Sequence, residues 1–143
     1  MLHDAKKVAA IDPGREKCGM AVLAEDGKVL LQKVIETRWL EQELRQARES
    51  YAPEILLLGN GTTSGQAQSR IHASLPELAV KVVDEYRTTE MAKAAYWKEH
   101  PPTGWRRLLP TTMQVPPVPV DDFVAVILAR RYLAEVNGAV NGE

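Results

Sequence analysis

Lys7-Val8-Ala9-Ala10-Ile11-Asp12 is a short apolar run stopped by Pro13-Gly14, and the stretch it opens decides the fold. A run this short, closed by a Pro-Gly turn, reads as a buried strand. A second apolar run, Gly19-Met20-Ala21-Val22-Leu23, leads through Glu25-Asp26-Gly27-Lys28 into a third, Val29-Leu30-Leu31-Gln32-Lys33-Val34-Ile35. Asp-Gly between apolar runs is a hairpin signal, because glycine accepts the positive φ of a tight turn. Three consecutive strands therefore open the chain, at least two of them antiparallel.

Beyond them the period changes. Leu40, Leu44, Ala47 and Tyr51 recur at helical spacing, with Thr37 as the expected N-cap and Pro53 closing the segment. Ile55-Leu56-Leu57-Leu58 is apolar throughout and too short for a helix, as suits a central strand covered on both faces. Gly59-Asn60-Gly61-Thr62-Thr63-Ser64-Gly65 is a loop, and a helix follows from Gln66 to about Leu75, ended by Pro76. Val80-Lys81-Val82-Val83-Asp84-Glu85 alternates and is β-branched, which predicts a fifth strand. Thr88 or Thr89 is positioned to cap a helix reaching about His100. Residues 101–119 hold six of the nine prolines and read as a long loop. Asp121-Asp122 are expected to cap a last helix through Val124, Ile127, Leu128, Tyr132 and Leu133, with a fraying tail from Asn137-Gly138 to Glu143. A meander feeding βαβ units makes an α/β fold with a mixed five-stranded sheet flanked by helices.

At 143 residues the chain, 1–143, is expected to be a single domain. Its 45% hydrophobic and 26% charged residues are ordinary globular usage, which sets aside disordered, collagen-like and coiled-coil classes. No stretch approaches a membrane span, and no signal-peptide apolar region follows the N-terminal Met1 to Lys7, so the protein is expected to be soluble and cytoplasmic, with no membrane partner. The single Cys18 leaves no intrachain disulfide and agrees with a reducing compartment. Lys plus Arg, 18, against Asp plus Glu, 19, gives no global footprint of a nucleic-acid binder.

Ligands of open sheets gather beyond the carboxyl ends of parallel strands. Asp12 ends the first strand, Glu85 the fifth, and Asn60 lies beyond the fourth, while Asp121 and Asp122 begin the final helix. Carboxylates converging from distant segments repel one another unless a cation neutralises them, and Mg²⁺ prefers such hard oxygen ligands. A site of this kind supports phosphodiester hydrolysis, one ion acidifying the attacking water and a second stabilising the leaving oxygen. Each residue also has a plainer role open to it: Asp12 in an Asx turn, Glu85 as a solvated charge, Asp121 or Asp122 as an N-cap. The Gly59–Gly65 loop offers amides and a helix N-terminus to a phosphate, or is simply a turn. Trp105-Arg106-Arg107 sets an aromatic face beside two guanidinium groups, suited to bases and phosphates, although Trp105 could equally anchor the loop. Trp39 and Trp97, on helices, are expected to pack.

Three segments carry a resemblance. Ile11-Asp12-Pro13-Gly14-Arg15 with Gly19-Met20-Ala21-Val22, then Val83-Asp84-Glu85-Tyr86-Arg87-Thr88-Thr89, then Val120-Asp121-Asp122-Phe123-Val124-Ala125-Val126-Ile127-Leu128 resemble the three motifs of the YqgF (RuvX) family, RuvC-like nucleases of ribonuclease H-like fold. The family is described as Holliday junction resolvases acting in DNA recombination and as nucleases maturing the 5′ end of 16S rRNA. The resemblance implies a Mg²⁺- or Mn²⁺-dependent nuclease whose catalytic and metal-binding carboxylates are Asp12, Glu85 and Asp121, or Asp122 if the alignment slides by one. It implies branched DNA or structured RNA as partner, for which Arg15, Asn60, Arg87, Trp105, Arg106 and Arg107 are this chain's candidate contacts; a symmetric junction would suit a homodimer. The chain departs from the pattern where Tyr86 displaces Arg87 by one position and where Gly59-Asn60-Gly61 replaces a Gly-x-Pro. Two other classes stand beside this one: a non-catalytic binding module of the same fold, and an ATP-binding relative of the actin and sugar-kinase fold, disfavoured because those enzymes clamp nucleotide between two domains.

Overall fold

In a computed structural model, which describes residues 6–141, the opening meander forms as the sequence predicts. Strands β1 (Lys7–Asp12), β2 (Lys17–Ala24) and β3 (Val29–Glu36) are successively antiparallel. Gly27 takes φ 92° in the hairpin turn, which is why Asp-Gly works there. A 3-10 turn, Thr37–Trp39, leads into α1 (Leu40–Tyr51), followed by β4 (Ile55–Gly59), α2 (Ser64–Ser74), β5 (Val80–Val83) and α3 (Thr88–Glu99). The sheet order is β3-β2-β1-β4-β5, with β4 parallel to both β1 and β5. The chain closes with α4 (Asp121–Asn141).

The period-two alternation of the strands divides the core into two layers. Val8, Ala10, Ala21, Leu23 and Leu57 face α3 and α4, meeting Tyr96, Val124, Leu128 and Leu133. Ala9, Ile11, Cys18, Met20, Leu56 and Leu58 face α1 and α2, meeting Leu40, Leu44, Ala47 and Ile71. Small residues at Ala10 and Ala21 let α4 lie close across the middle of the sheet.

Several local expectations are corrected. Thr37 does not cap α1: its hydroxyl donates to the Gly14 carbonyl at 2.9 Å, tying the β1–β2 turn to the end of β3. Thr88 is already helical, and its hydroxyl donates back to the Glu85 carbonyl at 2.7 Å. Asp121 and Asp122 stand inside the first turn of α4 rather than capping it, since the Val120 carbonyl accepts the Val124 N–H. α2 begins at Ser64, two residues before the expected Gln66, and β5 stops at Val83, leaving Glu85 in the following turn. Residues 101–119 are not wholly irregular, holding 3-10 turns at Gly104–Leu108 and Thr111–Met113. The tail expected to fray from Asn137 remains helical to Asn141, continuing α4; the end of that tail at Glu143, like the start of the N-terminal segment at Met1, lies outside the described residues. Trp97 packs on the α4 layer, but Trp39 is 44% exposed, with the Arg38 guanidinium 5.1 Å from its ring. No helix among the described residues is long and apolar enough to cross a membrane.

Candidate active site

Because β1, β4 and β5 are parallel, their carboxyl ends share one edge of the sheet. Asp12 is the last residue of β1, and the alternation that sends Val8 and Ala10 toward α4 sends Asp12 the same way. Opposite it in β2 stands Gly19. A Cβ at Gly19 would fall 1.8 Å from the Asp121 carbonyl oxygen, so the absent side chain is what lets the first turn of α4 rest on the sheet beside Asp12. Gly59, the end of β4, makes the matching space: a Cβ there would fall 2.1 Å from Glu85 Oε2. Two glycines on one face thus open the room in which carboxylates from three elements approach.

Glu85 is held firmly. The Gly61 N–H donates to its Oε2 at 3.0 Å, and its own N–H donates to Asn60 Oδ1 at 3.1 Å. The turn that carries it needs Arg87 in the left-handed region, φ 60°. Arg131 of α4 donates to the Tyr86 carbonyl at 2.5 Å and so fastens this turn to the helix that carries Asp121. Asp122 accepts a hydrogen bond from Gln32 Nε2 at 3.1 Å, which directs it toward β3.

The electrostatics follow from this crowding. The Asp12 carboxyl is pushed up to about 8, first by burial, then by the negative charges of Glu85 and Asp121 and by its hydrogen bond with Glu85. Asp121 is also raised, by burial and then by the charge of Asp122, with Lys17 opposing the shift. Asp121 is thus the member of the pair whose charge acts on Asp12, while Asp122 is engaged by Gln32. A half-buried acid that keeps its proton because it is buried and because its neighbours are acids marks a place of negative potential. Among the described residues no group of three or more His, Cys, Asp or Glu side chains is already closed around a point where an ion could sit. The donor set nonetheless consists of hard carboxylate oxygens, which suit Mg²⁺ or Mn²⁺ and disfavour soft metals.

Of the other residues singled out in the sequence, Arg15 lies exposed in the β1–β2 turn, two residues past Pro13, and Arg87 is exposed beside Glu85. Asn60 directs its side-chain oxygen to the Glu85 backbone, supporting the carboxylate. Trp105 is 67% exposed and does not anchor the Pro-rich segment; the Arg106 guanidinium lies 5.6 Å from its ring, and Arg107 is exposed next to it. Sequence reasoning missed Gln32, Lys17, Arg131 and the two glycines, although Gln32 is a polar residue within an apolar strand and on that ground open to suspicion.

No family model matches the sequence, and no curated protein is similar to it. Among solved structures, RuvC of Thermus thermophilus superposes with a TM-score of 0.56 at 16% identity, covering 92% of this chain and 96% of that one. Pelota of Archaeoglobus fulgidus gives 0.49 at 16% identity, covering 96% of this chain, and a ROK-family transcriptional regulator, a homologue of the E. coli MLC protein, gives 0.45 at 14%, covering 64%. The chain spans about a third of the length of these last two, 35% and 31%. With strand order β3-β2-β1-β4-β5 and near-complete mutual coverage with RuvC, the fold is RuvC-like, of the ribonuclease H-like type.

Proposed function

We propose that the chain is a divalent-metal-dependent endonuclease that hydrolyses phosphodiester bonds in structured nucleic acid. The observation that carries this reading is the approach of Asp12, Glu85 and Asp121 from three segments to one sheet edge, with Asp12 raised to about 8 by burial first and then by the charges of the other two. Asp12, Glu85 and Asp121 would hold Mg²⁺ or Mn²⁺, with Asp122 beside them. Bound there, such an ion supplies neutralisation of negative charge and Lewis acidity at a phosphate. The chain's own part is to position and to release a proton. Gly61 and Asn60 keep the Glu85 carboxylate in place, Gln32 keeps Asp122 in place, and Asp12, which holds its proton beside Glu85 and Asp121, would have to release it to serve as a ligand. Arg15, Arg87, Arg106 and Arg107 are available to phosphates and Trp105 to an unpaired base.

The motif resemblance to the YqgF family supports a Holliday junction or precursor 16S rRNA as substrate, a cytoplasmic setting and, for a junction, a homodimer with two sites. End-labelled four-way junction and precursor-rRNA fragment, incubated with Mg²⁺ or Mn²⁺, test the reading. Wild type is expected to cut at least one of them at discrete positions, and Asp12→Asn to lose at least about 100-fold in rate with its melting temperature kept. Equal cleavage by the variant would remove the proposed centre, and binding without cleavage by wild type would favour a non-catalytic module.

A further inference from the structure

The backbone carbonyls of residues 84–86 are all taken. That of Glu85 accepts from the Thr88 hydroxyl at 2.7 Å and from the Thr88 N–H at 3.0 Å. Those of Asp84 and Tyr86, on either side, both accept from Arg131, whose guanidinium reaches the first at 3.5 Å and the second at 2.5 Å and also meets the Met91 sulfur at 3.2 Å. Arg131 stands ten residues after Asp121 on α4, about 15 Å along the helix axis. A long helical side chain leans back toward the N-terminus, so its fork arrives beside the turn that carries Glu85. The turn itself is strained at Arg87, whose φ of 60° is costly for a residue with a side chain. Elsewhere the two acids are located by different strands: Asp121 rests on β2 through the space at Gly19, and Glu85 rests on the end of β4 through Gly59, Gly61 and Asn60. Arg131 joins their two carriers, helix and turn, directly.

We propose that Arg131 is a positioning residue: by clamping the Asp84–Tyr86 turn to α4 it fixes how far Glu85 stands from Asp121, and so makes the carboxylate edge favour a small divalent cation over a large one. The inference rests on the cation centre proposed above. Mg²⁺ demands near-ideal octahedral oxygens at about 2.0–2.1 Å, whereas Ca²⁺ accepts adaptable arrangements at about 2.3–2.6 Å. Loosening Glu85 relative to Asp121 therefore costs the small ion more. Charge acts in the opposite direction, because a guanidinium repels a cation and its removal would by itself tighten cation binding slightly. A clamp and a mere surface charge thus differ in the sign of their effect.

Arg131→Met keeps the apolar stem and removes the donors. In calorimetric titrations without nucleic acid, its Mg²⁺ affinity is expected to fall at least about tenfold below wild type and its Ca²⁺ affinity to stay within about threefold. Arg130→Met removes the same charge from the exposed neighbouring position of α4 and is expected to leave both affinities unchanged or slightly raised. Arg131→Lys keeps the charge but offers a single donor group to two carbonyls, so it is expected to follow Arg131→Met, and it carries the comparison if the methionine variant does not fold. A lowered melting temperature with both affinities as in wild type would assign Arg131 to stability alone and overturn the proposal, as would equal losses for the two ions. Wild type that binds neither ion would remove the cation centre and this inference with it. Wild type that cleaves nothing, yet loses Mg²⁺ preference on Arg131→Met, would end the nuclease reading and support the clamp.

Discussion

Asp12 makes the pH dependence of stability a report on the site. In the folded protein it keeps its proton up to about pH 8, whereas an unfolded chain releases it near the ordinary value of 3.8. Between these limits the unfolded state binds fewer protons than the folded one, so this group's contribution falls as pH rises and levels off above about 8. Asp12→Asn removes that slope. In EDTA the variant is expected to match wild type near pH 4 and to exceed its stability by about 1–3 kcal/mol at pH 8, measured by urea denaturation. Parallel profiles would mean that the fold does not raise the Asp12 carboxyl. Trp105 carries a second expectation at this scale. Its exposure predicts that Trp105→Ala with Arg106→Ala weakens nucleic-acid binding and moves the melting temperature by no more than about 1–2 °C, as a surface change should. A larger drop would assign the pair to packing.

At the scale of elements, the close approach of α4 to β2 depends on Gly19. Gly19→Ala must displace the Asp121 carbonyl, so it is expected to lower the melting temperature by several degrees and to disturb the carboxylate cluster. Gly138→Ala, with open space around it in α4, is expected to stabilise by up to about 1 kcal/mol. Differential scanning calorimetry compares the two, and equal effects would deny the close packing. These glycines also show why part of the site escaped the sequence. The end of β1, the segment after β5 and the start of α4 announce themselves by local pattern, as does the acid at each. The depth at which α4 docks does not, because it is decided by a missing side chain on another strand. The bond that Gln32 makes to Asp122 spans 90 positions, and the hydroxyls of Thr37 and Thr88 found tertiary or reverse partners in place of the caps their positions suggested. Trp39 was expected to pack because it sits at a helix start, yet it lies on the exposed side of the turn.

For the whole molecule, one sheet carries an apolar layer on each face. The near balance of 18 basic and 19 acidic residues also becomes intelligible. Four of the acids, Asp12, Glu85, Asp121 and Asp122, come from the elements gathered at the carboxyl edge of the sheet, and setting them aside turns the remaining balance positive. The central claim is that this edge is a divalent-cation centre built on Asp12. Calorimetric titration with Mn²⁺ at pH 7 in buffers of different ionisation enthalpy measures it directly, since it counts the protons released as the ion binds. Wild type is predicted to bind saturably and release about one proton, and Asp12→Asn to bind more weakly and release close to none. Binding with the same affinity and the same proton count in both proteins would contradict the account.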